Sequence, residues 1–161
     1  MTTEDPDADI GAVERAFPVG YAIFAMARVH RAVAASRLGE LGLYPGQELL
    51  LVQLSARDGL PQKTLATALR VSHVTVAKMI TRMERAGLLE RRSSPTDRRL
   101  SLVFLLPPGR ALLVQVLGIW EELERMTTRD LGADDRVAFL RAAAKVRPAL
   151  DEAAGDATQP A

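Results

Sequence analysis

The chain has 161 residues, of which 48% are hydrophobic, and a formal net charge of +1. This length favours one compact domain, or one with an extension, over two independent domains. The hydrophobic share is large enough to form a core, which argues against a wholly disordered chain. There is no cysteine, and this absence excludes disulfides, thiolate metal sites and peroxide sensing by a thiol.

Two features of the sequence predict a soluble, cytoplasmic protein that makes no contact with a membrane. Residues 1–9 are acidic and polar, whereas a signal peptide begins with basic and then apolar residues. The longest apolar runs, such as residues 102–106, are too short to cross a bilayer. By their composition, residues 1–9 and 155–161 are predicted to be disordered tails.

The first part of the chain predicts three helices. Residues 10–38 are rich in alanine and predict one long helix with a kink near Pro18. After a break at residues 39–42, residues 45–56 predict a second helix, since a proline suits its first position. After a turn, residues 61–69 predict a third and shorter helix.

The central part of the chain predicts a helix followed by a β-hairpin. Ser72 is a natural N-cap for a helix that ends near Ala86, because Gly87 suits the position after a helix end. This helix and the short helix before it form a helix-turn-helix candidate. Residues 88–92 and 100–105 are predicted strands, joined by turn-forming residues. The predicted fold class is mainly α, with about six helices and a small β-hairpin wing.

Two apolar stripes follow, on helices predicted to begin at Pro107 and Ala133. The stripes consist of Leu112, Leu113, Val116, Leu117, Trp120 and Leu123 on the first helix and of Val137, Leu140, Ala144 and Leu150 on the second. Together they exceed what one small lobe can bury, so the sequence predicts a homodimer.

The basic residues are concentrated in one segment. Residues 63–99 hold nine basic and three acidic side chains, a net charge of +6, whereas the rest of the chain carries −5. One strongly basic segment favours a local surface that binds a polyanion. The alternative is a solvated surface with no such partner.

The two faces of the helix predicted at residues 72–86 differ in chemistry. At 100° per residue, one face is apolar and is expected to pack inward; it consists of Val76, Met79, Ile80 and Met83. The other face presents Val74, Thr75, Lys78, Thr81 and Arg82. Hydroxyls, methyl groups and cations suit base edges and phosphates in the major groove of DNA. The alternative is an ordinary surface helix on which Val74 rests against a neighbour.

Four arginines flank the predicted hairpin tip: Arg91, Arg92, Arg98 and Arg99. A loop with arginines beside such a helix fits an arm that enters a minor groove, where the potential is most negative. Asp97 is expected to orient Arg99 through a charge-assisted hydrogen bond. In the alternative interpretation, Asp97 only caps the backbone of a solvated turn.

A run of short motifs resembles the MarR family. They are Leu41-Gly-Leu-Tyr-Pro-Gly-Gln47, Leu65-Ala66, Val71-Ser-His-Val-Thr-Val76, Met83-Glu-Arg-Ala-Gly-Leu-Leu-Glu-Arg91, Asp97-Arg98-Arg99 and Pro107-Pro-Gly109. The resemblance covers residues 40–112 in unbroken order, which is more specific than any single motif. It implies a winged helix-turn-helix that regulates transcription, with a dimer interface formed by the first, fifth and sixth helices.

The resemblance also implies where double-stranded DNA binds. A homodimer would read a pseudo-palindromic operator, and Asp97, Arg98 and Arg99 match the family's Asp-x-Arg wing motif. The side chains implied to face the major groove are Ser72, His73, Val74, Thr75, Lys78 and Arg82. Gln62 and Lys63, at a predicted helix N-terminus, are candidates for holding a phosphate.

The same resemblance divides the chain into a dimerisation helix at residues 10–40, a DNA-binding domain at residues 41–106 and dimerisation helices at residues 107–154. Two positions depart from the family pattern. Tyr44 and Leu106 stand where threonines usually cap the second and fifth helices, and each loss is expected to cost about 1 kcal/mol of helix stability. Neither residue is expected to lie on the DNA face.

The sequence favours no enzymatic or metal-dependent function. The two histidines, His30 and His73, are far apart and lack cysteine partners, so no metal site is predicted. His30 is expected near the dimer surface and His73 near DNA or solvent. No phosphate-binding loop, nucleophile elbow or dinucleotide motif occurs, and neither an enzyme nor a cofactor is expected.

Two hypotheses of different classes remain open. The first is a repressor released by a small aromatic or anionic ligand, which Tyr21, Phe24 and Arg28 would help to bind; in the alternative, the aromatic side chains pack in the core. The second is a winged-helix adaptor that binds a protein rather than DNA, since a fold does not fix a function. The wing arginines and the outward Lys78 favour the first hypothesis.

Overall fold

The structure is a computed structural model that describes residues 6–97 and 99–156. The chain divides into two units, one that ends at Leu123 and one that begins at Glu124. The described residues form seven helices and a three-stranded antiparallel sheet. This architecture agrees with the predicted fold class, a mainly α protein with a β-hairpin wing.

The secondary structure elements are as follows. The helices are α1 (Pro6–Ala16), α2 (Pro18–Glu40), α3 (Gln47–Ala56), α4 (Gln62–Leu69), α5 (His73–Arg85), α6 (Pro107–Thr128) and α7 (Ala133–Asp156). The strands are β1 (Leu60–Pro61), β2 (Leu89–Ser93) and β3 (Ser101–Leu105). Within residues 6–97 and 99–156, no helix has both the length and the hydropathy that a membrane span needs.

The first predicted helix is divided into two helices. α1 ends at Ala16, and α2 begins at Pro18 after a non-helical Phe17 with φ −134° and ψ 58°. A proline has no main-chain N–H to donate, and its ring clashes with the preceding helical turn. The chain therefore breaks the helix at Phe17, where the sequence predicted only a kink.

The predicted tails are partly helical, which corrects their boundaries. α1 begins at Pro6 and α7 ends at Asp156, so residues 6–9 and 155–156 belong to helices. At the amino-terminal end, a proline suits the first helical position and aspartates are favourable in the first turn. The other tail residues, 1–5 and 157–161, lie outside the described residues.

The turn before α3 is held by side chains from the first turn of that helix. Gly46 precedes the helix with φ 96°, a conformation that favours glycine, so Pro45 is not the first helical residue as predicted. The Tyr44 N–H donates to Gln47 Oε1 at 2.9 Å, and the Gly46 N–H donates to Glu48 Oε2 at 2.7 Å. These bonds hold the turn before α3, whose N-cap residue Gly46 makes no side-chain cap hydrogen bond.

Glu48, which accepts the hydrogen bond from the Gly46 N–H, is buried. Burial raises its pKa, because desolvation penalises the charged form more than the hydrogen bonds from the N–H groups of Glu48 and Gly46 favour it. The pKa of Glu48 is therefore higher in the folded chain than in the unfolded chain. Its contribution to the free energy of unfolding decreases as the pH rises from the pKa of the unfolded chain to that of the folded chain.

The turn into α5 and the end of α5 form as predicted. Ser72 Oγ accepts a hydrogen bond from the Thr75 N–H at 3.1 Å, and Gly87 follows the helix with φ 68°. The predicted inward face is confirmed, because three of its side chains are buried and the fourth is half-buried. These are Val76, Ile80 and Met83, followed by Met79.

The predicted hairpin is confirmed to within a residue, with β2 and β3 paired from Leu89 opposite Leu105 to Ser93 opposite Ser101. β3 also pairs with β1, so the sheet order is β1-β3-β2. The sequence did not predict β1, because a strand of two residues has no periodicity to detect.

The apolar stripe predicted on α6 is buried on one side and exposed on the other. The core side comprises the buried Val116 and Leu123, with Leu112 and Leu113 half-buried beside them. Leu117 and Trp120 are instead 47% and 41% exposed. At 100° per residue the stripe is about 140° wide, which is more than the small core covers.

The core of the first unit joins α3, α4, α5 and α6 to the sheet. Its fully buried side chains include Leu50, Leu51, Leu54, Leu65, Val76, Ile80, Met83, Leu89, Val103 and Val116. At one edge, the Leu88 carbonyl oxygen accepts a hydrogen bond from the Leu106 N–H at 3.0 Å. A Cβ added at Gly109 would lie 2.2 Å from the same oxygen, so the start of α6 lies close to the residue that precedes β2.

Gly109→Ala is expected to destabilise the fold by about 1–3 kcal/mol, although alanine is the better helix former, because the added methyl group overpacks this contact. The matched control is Gly118→Ala in the same helix, where an added Cβ meets nothing within 4 Å. It should stabilise the helix by up to about 1 kcal/mol. Denaturant unfolding measures both, and a Gly109→Ala variant as stable as Gly118→Ala would contradict the close approach.

Candidate nucleic-acid interface

The outer face of α5 carries the predicted DNA-facing residues and is open to solvent. Val74 is 63% exposed, and Thr75, Lys78 and Arg82 are also exposed. The exposure of Val74 disagrees with the alternative in which this side chain rests against a neighbour. A helix of this composition therefore presents a methyl-bearing side chain, a hydroxyl and two cations on one accessible surface.

Arg91 does not extend from the wing tip, as was predicted, but turns back onto α5. Its guanidinium pairs with Glu84 and donates to Thr81 Oγ1 at 3.0 Å and to the Ala77 carbonyl at 3.4 Å. The Arg91 N–H donates to Glu84 Oε1 at 3.1 Å. Arg91 and the half-buried Thr81 are thus engaged within the fold, and the wing, meaning β2, β3 and the tip between them, is joined to α5.

Arg92 is also held along the sheet. Its guanidinium pairs with Glu90 on the same strand and lies 4.6 Å from the centroid of the Phe104 ring. Arg98 lies outside the described residues. Arg92 and Arg99 are both exposed, and of these two Arg99 lies in the tip between the strands.

The tip of the wing is an ordered turn. Asp97 Oδ1 accepts a hydrogen bond from the main-chain N–H of Arg99 at 2.9 Å. This contact is the backbone cap of the alternative interpretation, rather than the predicted bond to the Arg99 side chain. The buried Ser94 also accepts hydrogen bonds from the main-chain N–H groups of Thr96 and Asp97. The backbone that carries Arg99 is thus held by short side chains.

Several predicted site residues meet at the N-terminus of α5. The Ser72 and Thr75 hydroxyl oxygens lie 2.8 Å apart, within hydrogen-bond distance. Gln62 Nε2 donates to the His73 carbonyl at 3.4 Å, which links the first turn of α4 to that of α5. His73, the first residue of α5, and Lys63, the second residue of α4, are exposed. The structure thus brings Gln62 to the predicted DNA-facing end of α5.

Arg82 has a neighbour that the sequence analysis missed. Its guanidinium carbon lies 3.5 Å from the centroid of the Tyr44 ring. Tyr44 precedes α3 and was expected to lie apart from the DNA face, but it contacts a residue predicted to belong to that face. No periodicity links a residue in a turn to one on a helix 38 positions away in the sequence, so this contact had no local signal.

The three candidate ligand-binding residues line one cavity of about 580 Å³ beside α1 and α2. Its walls are formed by Ile10, Val13, Phe17, Gly20, Tyr21, Phe24 and Arg28. The rings of Tyr21 and Phe24 have centroids 6.5 Å apart, and Phe24 is 60% exposed. Phe24 therefore does not pack in the core, which was the alternative role for these aromatic side chains.

The histidines lie in different surroundings. The ring of His30 is half-buried, with its centroid 6.4 Å from that of Trp120, whereas His73 is exposed at the start of α5. Within the two described stretches, no three His, Cys, Asp or Glu side chains are grouped as ligands of a metal ion would be.

Comparison with known protein sequences gives a family and a relative. The sequence model of the MarR family matches residues 43–101, from the turn before α3 to the start of β3. The transcriptional regulatory protein named for the hcr operon of Thauera aromatica is 35% identical over 75 residues. This match covers 47% of the chain and 45% of the relative, so it spans about half of the relative's length.

Comparison with solved structures extends the similarity over most of the chain. The transcriptional repressor CouR, bound to a 23-mer DNA duplex, is 29% identical, with a TM-score of 0.75 over 83% of this chain and 95% of that chain. BpsR of Bordetella bronchiseptica, whose DNA binding is regulated by 6-hydroxynicotinic acid, is 26% identical, with a TM-score of 0.72 over 80% of this chain and 92% of that chain. The motifs, the winged helix-turn-helix fold and these matches agree with one another, and they identify a MarR-type domain at residues 43–101.

Proposed function

We propose that this chain is a cytoplasmic transcription repressor, which binds a pseudo-palindromic operator as a homodimer and releases it when a small aromatic or anionic ligand binds. The observation that carries DNA binding is the exposed outer face of α5, with Val74, Thr75 and Lys78 accessible together. The match of residues 43–101 to the MarR family model supports this function, and so does the duplex bound to CouR. We propose no enzymatic activity and no cofactor.

In this proposal, α5 enters the major groove with its N-terminal turn foremost. Val74 contacts a thymine methyl, while Thr75 and Lys78 reach base edges or phosphates. Because Arg91 joins the wing to α5, Arg99 is held at a fixed separation from the side chains of α5. It enters the flanking minor groove. A symmetric dimer repeats this arrangement about one helical turn away, roughly 34–36 Å along B-form DNA.

Replacing the cations of this surface is expected to weaken DNA binding. Lys78→Ala should cost about 1–3 kcal/mol at the operator alone if Lys78 reads a base, and should weaken all duplexes equally if it holds a phosphate. Arg99→Ala should reduce the slope of log affinity against log salt by about one. Fluorescence anisotropy over a salt series measures both effects. The two duplexes compared are an operator recovered by genome-wide pulldown and a duplex of unrelated sequence.

The matched control for these variants is Arg129→Ala, which removes an exposed cation from the second unit and should leave the salt slope unchanged. Unchanged affinity and slope in Arg99→Ala would remove the wing from the DNA surface. If the folded wild-type chain retarded no duplex at low salt, the protein-binding adaptor would become the better hypothesis.

The homodimer is supported by exposed apolar side chains in both units. In the first unit they include Phe24 on α2 and Leu117 and Trp120 on α6. In the second unit, Val137 and Leu140 are exposed on α7. Soluble monomers rarely expose apolar surface of this extent without a partner, and a two-fold dimer covers equivalent surfaces on both copies.

Light scattering at micromolar concentration should therefore give a mass of twice the 17.5 kDa of one chain. Leu140→Glu is expected to shift the population towards monomer, because it places a charge in the proposed interface. Ala142→Glu is the matched control, since this position lies on the opposite side of α7. A monomeric wild type, or equal dimerisation of the two variants, would argue against α7 as an interface.

The ligand is supported by the cavity beside α1 and α2. Its volume of about 580 Å³ lies in the range that holds small molecules. Arg28 is the charged member of an otherwise apolar and aromatic lining that includes Tyr21 and Phe24, a combination that suits an aromatic carboxylate. Because α1 and α2 contribute to the proposed dimer interface, a ligand in this cavity would favour a separation of the α5 helices that no longer matches the operator.

The compound named for BpsR, 6-hydroxynicotinic acid, is an aromatic carboxylate and serves as the probe. We expect it to release DNA from the wild-type chain and to act on Arg28→Gln only at roughly tenfold higher concentration, since a charge-assisted hydrogen bond is lost. Arg31→Gln is the control, because Arg31 is exposed on the same helix and does not line the cavity. Equal release from wild type and Arg28→Gln would exclude this cavity as the effector site.

A further inference from the structure

We propose that Tyr44 is a positioning residue for DNA binding, whose ring holds the Arg82 guanidinium in place as a clamp on a DNA phosphate. This inference rests on the proposed function and adds to it a residue outside the helix-turn-helix. It is carried by the guanidinium of Arg82, which lies 3.5 Å above the centroid of the Tyr44 ring.

The turn that carries Tyr44 is fixed by its own hydrogen bonds. The Tyr44 N–H donates to Gln47 Oε1 at 2.9 Å, and the Tyr44 carbonyl accepts from the Gln47 N–H at 3.0 Å. Gln47 is buried, although its side chain is polar. Tyr44 is thus anchored at both of its main-chain polar groups to a residue of the core.

The same turn packs against α5 one helical turn before Arg82. A Cβ added at Gly46 would lie 3.2 Å from Met79 Cε, so the glycine backbone is in contact with that side chain. Arg82 follows Met79 by three residues, about 60° around the helix, so the two side chains are neighbours where the inward face of α5 meets its outward face. The Tyr44 ring is therefore a rigid support next to α5.

Arg82 is arranged to bind an anion while it is stacked. It is exposed, and the part of the chain that the structure describes holds no carboxylate in ion-pair contact with it. A guanidinium that packs its flat face on a ring keeps its N–H groups free in the guanidinium plane, where they can donate to a phosphate. Tyr44 is 52% exposed, so the stack itself is accessible.

The position of Arg82 along α5 favours a phosphate over a base. Arg82 follows Thr75 by seven residues, so the two lie on the same face about 10 Å apart along the helix axis. The major groove is about 12 Å wide. When the N-terminal turn of α5 contacts base edges, Arg82 lies close to the rim of the groove, where the phosphates are.

The test measures binding to an unrelated DNA duplex at low salt, with wild type, Tyr44→Ala, Tyr44→Phe, Arg82→Ala and the double variant Tyr44→Ala/Arg82→Ala. Tyr44→Ala should weaken binding about two- to fivefold, as expected for the loss of an exposed cation–π contact. Tyr44→Phe keeps the ring and should bind like wild type. In the Arg82→Ala background, Tyr44→Ala should cause no further loss, because the guanidinium that it positions is absent.

Thermal unfolding without DNA separates positioning from stability. Tyr44→Leu is the second variant, because it keeps apolar contact with the turn but has no aromatic face; it should unfold like Tyr44→Phe and bind like Tyr44→Ala. Losses that add in the double variant, or weak binding by Tyr44→Phe, would overturn the proposal. So would loss of binding in Arg82→Ala with none in Tyr44→Ala. If wild type binds no duplex, the proposed function fails first and this inference fails with it.

Discussion

The contact between Arg91 and α5 sets the geometry of the proposed DNA-binding surface. Arg91 stands in β2, and its partners Ala77, Thr81 and Glu84 lie at spacings of four and three along one side of the helix. One side chain thus joins the wing to two turns of α5 through charge-assisted and neutral hydrogen bonds. Because Arg91 and Glu84 are half-buried, solvent weakens this connection less than it weakens an exposed ion pair.

The basic segment divides its cations between structure and binding. Arg91 and Arg92 are paired with Glu84 and Glu90, and Arg92 also lies over Phe104. Lys78 and Arg99 are exposed, whereas Arg82 is exposed but stacked on Tyr44. The basic side chains of the segment therefore differ in what they contact, although they carry the same charge. What recognises DNA in our proposal is a smaller set of side chains, held by ion pairs and aromatic rings around them.

Much of the local structure could be predicted because its signals lie within a few residues of each other. Ser72 caps α5 through Thr75, and the alternation of apolar and polar positions identified the inward and outward faces of that helix. The hairpin was also predicted, because turn-forming residues separate two short apolar runs. The break at Phe17 was predicted only as a kink, since a proline that starts a helix and a proline that bends one give the same local pattern.

The sequence by itself determined the fold class, the order of the elements and the helix that presents the candidate DNA-binding side chains, because these follow from hydrophobic periodicity and capping. The tertiary structure decided which cations of that region are free to act. Arg91, Thr81, Arg82 and Tyr44 acquire their surroundings from contacts between elements that are distant in sequence. An arginine carries the same charge wherever it lies, and only the positions of its neighbours decide whether it braces the fold or faces a partner.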